Sequence, residues 1–208
     1  MDERHTKLET IAARIRQCTD CALHEERTNA VPGAGPADAR ILFLGEGPGA
    51  QEDQQGLPFV GRSGQFLDEL LESVGLSREQ VFITNVVKCR PPGNRDPRAH
   101  EVRACTNHLD RQLHLIRPRL IVTLGRFAMR RFFSDGRISE IHGQARRIDG
   151  VVILPLYHPA AALYRGSLRS VVREDFRRIP QLLEDPGRLG RPSRLGRPSR
   201  APENRSSL

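Results

Sequence analysis

The stretch that most constrains this chain runs from Ile41 to Gly64, ILFLGEGPGAQEDQQGLPFVGRSG. Its four opening residues, Ile41, Leu42, Phe43 and Leu44, form a short, continuous apolar run. Such a run reads as a strand buried on both faces, as in a parallel sheet. Three glycines at alternate positions follow, Gly45, Gly47 and Gly49, with Glu46 and Pro48 set between them. Glycine lets a backbone turn sharply and lets a ligand approach closely. Taken alone, the run is equally what a tight strand-to-helix turn requires. The carboxylate of Glu46, held at the end of a buried strand, is the more suggestive feature.

The rest of the chain repeats the pattern of strand, polar end and helix. Gln65 to Val74 carries an apolar stripe at helical spacing, with Gly75 placed to stop it. Val81 to Val87 is rich in β-branched residues and reads as a second strand. Leu120 to Leu124 and Val151 to Leu154 supply a third and a fourth. Helices are expected at Leu8–Arg16, Glu101–Ile116, Phe127–Phe133 and Leu168–Leu183, and a loop at 28–39. Strands alternating with helices predict an α/β fold, a parallel sheet of four strands covered on both faces. Ligands of such sheets bind outside the carboxyl ends of the strands. Those ends carry Glu46, Asn85, Gly125 and His158. Asn85 alone reads as a satisfied core amide, and His158 alone as a loop residue before a proline. Three polar functional groups at three strand ends point to a site.

Charge and cysteine usage narrow the class. The net charge is +8, but six arginines and one glutamate beyond Asp185 carry +5 of it, leaving a mildly basic body. That balance permits a nucleic-acid partner without requiring one. The tail repeats RLGRPS at 188–193 and 194–199, and its composition predicts a disordered extension over 186–208 beyond a single domain at 1–185. The charged start, MDERHTKLET, lacks the apolar core of a secretory signal, and no apolar run approaches the roughly 18 residues of a membrane span. A cytoplasmic location is therefore expected. Reduced thiols are the rule there. Cys18 and Cys21, two residues apart, have the spacing of a metal-binding pair, and Cys89 and Cys105 complete a four-thiolate set. On the chemistry alone zinc and an iron–sulfur cluster fit equally.

In combination, GEGPGAQED at 45–53, GLPFVGRSGQ at 56–65, TNVVKCRPP at 84–92 and HPAAAL at 158–163 resemble the motifs of the family 4 uracil-DNA glycosylases. The resemblance runs from about Cys18 to Leu183 and includes the four cysteines in order and spacing. It implies a three-layer α/β/α fold with a four-stranded parallel sheet, and a [4Fe–4S] cluster on Cys18, Cys21, Cys89 and Cys105. It also implies hydrolysis of the N-glycosidic bond of uracil in single- or double-stranded DNA, for which a monomer is the simplest expectation. A uracil must leave the base stack to be reached. Phe59 matches the family's stacking residue. Asn85 has one acceptor and two donors for the N3–H and O4 of uracil. His158 suits the charge that collects on uracil O2, and Glu46 suits the sugar cation and the attacking water.

Two departures qualify the resemblance. A better-known branch of the superfamily places an aspartate and a thymine-blocking tyrosine where this chain has Gly47 and Gly49. Exclusion of thymine then falls to Glu52, whose plain alternative is a first-turn carboxylate on a helix dipole. After the histidine, AAALYRGSL is not a close copy of the family, and Leu163, with Tyr164 and Arg165 beside it, is the candidate to fill the vacated stack. The loop PPGNRDPRAH lacks the basic insertion of relatives that become trapped on their product, so turnover is expected. The competing reading is a catalytically silent iron–sulfur DNA-binding module of the kind attached to phage polymerases.

Overall fold

The four expected strands lie side by side because their apolar runs are covered from above and below. The computed structural model describes residues 2–184. In chain order its strands are β1 (Ile41–Gly45), β2 (Val81–Asn85), β3 (Leu120–Leu124), β4 (Arg146–Ile148) and β5 (Val151–Leu156). They form one sheet in the order β2-β1-β3-β5-β4, parallel throughout except for β4, which pairs antiparallel with β5. The fifth strand adds to the expected four. At three residues, two of them arginines, it has no apolar run to reveal it, and its charges suit an exposed sheet edge.

The helices are α1 (Glu3–Gln17), α2 (Leu23–Glu26), α3 (Ala50–Gln55), α4 (Arg62–Glu72), α5 (Ala99–Ile116), α6 (Arg126–Arg130), α7 (Ile138–Ile141), α8 (Pro159–Tyr164), α9 (Ser167–Phe176) and α10 (Ile179–Glu184). Alternate strand residues feed opposite cores, as the two-residue period of a strand demands. Phe43, Ile83, Val122 and Leu154 pack against Phe66, Leu67 and Leu70 of α4 and Phe176 of α9. Leu42, Leu44, Phe82 and Ile121 face Leu8 and Ile15 of α1 and Leu109 and Ile116 of α5. Three layers result, α/β/α.

Several expected elements end differently, two of them for a clear physical reason. β2 stops at Asn85, and Val86 and Val87 instead donate to the carbonyls of Gly45 and Glu46 at 3.0 and 3.1 Å. The bend carries Cys89 out of the sheet. The expected helix at 168–183 breaks between α9 and α10, where Pro180 cannot sit in a helix interior without clashing one turn back. The expected tail at 186–208 lies outside the described residues. Among the described residues no helix is long and apolar enough to cross a membrane.

Because β2 and β3 flank β1 on opposite sides, the winding direction reverses at β1. A crevice opens at the carboxyl ends of strands at such a point. All of the polar strand ends named above surround it.

Candidate active site and cysteine centre

Glu46, Gly47, Gly49, Glu52, Phe59, Asn85 and His158 line one cleft of about 390 Å³. The four cysteines line a second, much tighter cavity of about 10 Å³. Leu163 lines neither: it is half-buried against the α4-side core, whereas Tyr164, the next residue, is 90% exposed. Pro91, Asn94 and Arg95 also border the first cleft, from a loop that showed only turn chemistry in the sequence. Their placement depends on Arg95, which grips the buried Glu101 carboxylate at 2.6 and 2.9 Å.

Asn85 ends β2 directly opposite Gly45 of β1 and is 1% exposed. Its Oδ1 has no hydrogen-bond partner among the described residues. A buried amide oxygen left unpaired costs about 1–3 kcal/mol. Such an atom beside a cleft is free to accept from a donor that enters the cleft.

The glycines are required for space rather than for turning. None of Gly45, Gly47 and Gly49 has a positive φ. A Cβ on Gly45 would overlap Asn85 Oδ1 and come within 2.8 Å of the Phe59 ring. On Gly47 it would meet Val87 at 2.7 Å, and on Gly49 it would meet Glu52 Oε2 at 2.7 Å. Gly45 therefore lies behind the cleft, leaving the room that Asn85 and Phe59 occupy, a packing role the sequence did not show.

His158 is the N-cap of α8, and its Nδ1 accepts the Ala160 backbone N–H at 3.1 Å. An Nδ1 that accepts leaves the neutral ring's proton on Nε2. Burial pushes the imidazole pKa down to about 4, opposed only by the nearby Glu52 charge. At neutral pH the ring is thus an uncharged Nε2–H donor. It stacks on Phe59 with centroids 5.5 Å apart and planes at 27°.

Burial and then the Asp96 charge raise the Glu46 carboxyl above its ordinary value, with Arg126 opposing. Glu52 is differently occupied. One of its oxygens accepts from Val60 and Gly61 at 2.9 and 3.0 Å, the other from Gly49 at 3.1 Å. It therefore ties the start of α3 to the segment behind Phe59. Its carboxylate also fills the space toward which a side chain at position 49 would point.

Cys18 and Cys21 follow α1, Cys89 follows β2 and Cys105 sits in α5. Burial pushes the thiols of Cys18, Cys89 and Cys105 up, Cys105 to about 11. Yet donors aim at the sulfurs: Arg27 reaches Cys89 Sγ at 3.0 Å and the Lys88 N–H reaches Cys105 Sγ at 3.3 Å. Buried sulfurs with donors turned toward them fit thiolates stabilised by a bound cation. Lys88 spans the two centres. Its fully buried ammonium donates to Thr84 Oγ1, Gln112 Oε1 and the Asn85 carbonyl at 2.6, 2.7 and 2.8 Å.

An open α/β sheet with a cleft carrying a carboxylate, an amide and an imidazole at its switch point defines a class. Residues 32–179 match the family model described as the Uracil DNA glycosylase superfamily. Among curated relatives, the type-4 uracil-DNA glycosylase of Sulfurisphaera tokodaii is 46% identical over 191 residues, covering 87% of each chain. That of Archaeoglobus fulgidus is 47% identical, covering 84% of this chain and 92% of its own. That of Thermotoga maritima is 43% identical, covering 90% of this chain and 100% of its own. The chain belongs to the type-4 uracil-DNA glycosylases.

Proposed function

We propose that the chain removes uracil from DNA by hydrolysing its N-glycosidic bond after the base has been flipped out, leaving an abasic site for repair. The observation that carries this reading is the unpaired, buried Oδ1 of Asn85 in the cleft. Uracil offers an N3–H to that oxygen and an O4 to the Asn85 amide donors. Cytosine offers the reverse pattern and would leave the amide unpaired in a dry pocket. Phe59 is the platform for the base.

As the bond breaks, electrons move onto uracil and negative charge gathers at O2, where the neutral His158 Nε2–H donates. A charged imidazolium is not needed, because the donor is set in place by the Nδ1 cap before the substrate arrives. Positive charge develops on the sugar. The Glu46 carboxylate faces that charge and orients the water whose oxygen bonds to C1′, accepting one of its protons, while the electrons of the broken C1′–N1 bond leave with uracil. Glu52 excludes thymine by occupying the space beside Gly49 and by fixing Val60–Gly61.

The four cysteines suit a [4Fe–4S] cluster, which when bound cross-links the segment after α1 to β2 and α5 and so supplies folding energy. The partner is uracil-containing DNA, single- or double-stranded, and one copy of the chain suffices because a single cleft holds every group invoked in the reaction. The test is excision from single- and double-stranded oligonucleotides bearing one uracil, read by alkaline cleavage. Cleavage at the uracil alone supports the reading, and an intact oligonucleotide that is still bound would replace it with the silent DNA-binding module. Iron and acid-labile sulfide analysis tests the cluster separately.

A further inference from the structure

Phe59 is the strained residue of the cleft. Its φ of 53° lies in the left-handed region, which bulky residues rarely enter. Such a conformation persists only when its surroundings over-determine it. Two features do so here. Gly64, in the first turns of α4, leaves room that no other residue would: a Cβ there would overlap the Phe59 carbonyl oxygen. The second is Arg78, in the 3-10 turn just before β2. Its Nη1 donates to the Pro58 carbonyl at 3.0 Å, and its Nη2 donates to the Phe59 carbonyl. The same guanidinium is held by Asp68 of α4, with Nε at 2.6 Å from Oδ1 and Nη2 at 3.3 Å from Oδ2. Neither Arg78 nor Asp68 lines the cleft.

We infer that Arg78, oriented by Asp68, is a positioning residue that clamps the strained 58–59 backbone and so fixes the Phe59 ring where the extruded base stacks. A planar guanidinium is suited to this, because its fork satisfies two carbonyls on one side and a carboxylate on the other. The consequence is local. Without the clamp the backbone at Phe59 relaxes toward negative φ and the ring leaves its place against His158 and the wall formed by Gly45. The inference rests on the reading of Phe59 as the base platform.

The experiment is a double-mutant cycle in the full-length protein, with excision rate and inhibition by free uracil as readouts. Melting temperature establishes that each variant is folded. Phe59→Ala is expected to lose about tenfold or more in kcat/KM, the scale of a lost base–aromatic stack. Arg78→Ala is expected to lose about tenfold and to weaken uracil inhibition in proportion. Asp68→Asn, which leaves the arginine but not its anchor, is expected to lose less, and it carries the test if Arg78→Ala does not fold. In the Phe59→Ala background, removing Arg78 is expected to change the rate by less than about twofold, since its target is gone. Multiplicative losses would overturn the inference, as would a wild-type rate for Arg78→Ala. So would a shallower salt dependence of DNA binding in Arg78→Ala, the mark of a phosphate contact. A fully active Phe59→Ala would instead remove the platform reading itself.

Discussion

The cleft and the cysteine cavity lie at the two ends of one short segment, Asn85 to Cys89, yet they are built on opposite principles. In the cleft an acceptor is left unpaired and about 390 Å³ stands open. Around the cysteines the cavity shrinks to about 10 Å³, and donors point at the sulfurs. One is arranged for a molecule that comes and goes, the other for a group that stays. Unpaired polarity alone does not separate them, since His108 Nε2 in the cysteine cavity is also buried without a hydrogen-bond partner among the described residues; the open volume of one and the donors on the sulfurs of the other do. Lys88 joins them: its backbone N–H donates to Cys105 Sγ in the cysteine cavity, and its ammonium donates to the Asn85 carbonyl behind the cleft.

That contrast predicts where substitutions act. The largest effect belongs to Asn85. Asn85→Ala is expected to lose about 10⁴-fold in uracil excision, the scale on which hydrogen-bonding sites reject mismatched partners, with DNA binding largely kept. An Asn85→Ala enzyme within tenfold of wild type would break the comparison at its root. Next come the two groups that act on developing charge. His158→Ala should cost about 10²–10³-fold in kcat, and Glu46→Ala a similar factor, with little change in affinity for uracil-containing DNA. Single-turnover kinetics separate these from binding defects.

The pH profile sharpens the distinction between the two. Glu46 acts as a carboxylate, and its folded pKa is raised, so rate is lost as pH falls through a value above the ordinary carboxylate range. His158, with a pKa pushed down to about 4, adds no break near pH 6 to 7. The acid limb should therefore vanish in Glu46→Ala and survive in His158→Ala. An acid limb that follows His158 instead would reverse the assignment.

At the cysteine centre the effect moves from rate to stability. Cys89→Ser is expected to lose iron and sulfide and to melt lower, by about 2–4 °C for each kcal/mol lost, while the folded fraction keeps its uracil selectivity. The smallest expected effect is at Glu101, whose pKa is pulled down to about 2 mainly by the Arg95 guanidinium. A depressed carboxylate stabilises above its unfolded pKa and ceases to do so as pH falls through the folded one. Glu101→Gln should therefore cost about 2 kcal/mol at neutral pH, and the difference from wild type should disappear toward pH 2, as followed by denaturant titration.

Much of this was legible in the chain itself. Apolar runs announced β1, β2, β3 and β5, and the polar residues following them announced Glu46, Asn85 and His158, because strand ends are where an α/β sheet presents its chemistry. Short elements without an apolar run were not legible. α3, α8 and β4 have too few residues for a period to show, and the exposure of Tyr164 rather than Leu163 depends on how α8 lands on the core. The order of residues thus determined which groups are available and at which ends of which strands they stand.

The tertiary structure alone decided how those groups are held. The reason glycine stands at positions 45, 47 and 49, the tautomer imposed on His158, and the left-handed backbone at Phe59 all arise from atoms distant in sequence meeting at contact range. Arg78 gripping Phe59 from 19 residues away is the clearest case. Periodicity and propensity report a residue's relation to its neighbours along the chain. Steric exclusion and hydrogen-bond geometry depend on neighbours in space, and only folding supplies them.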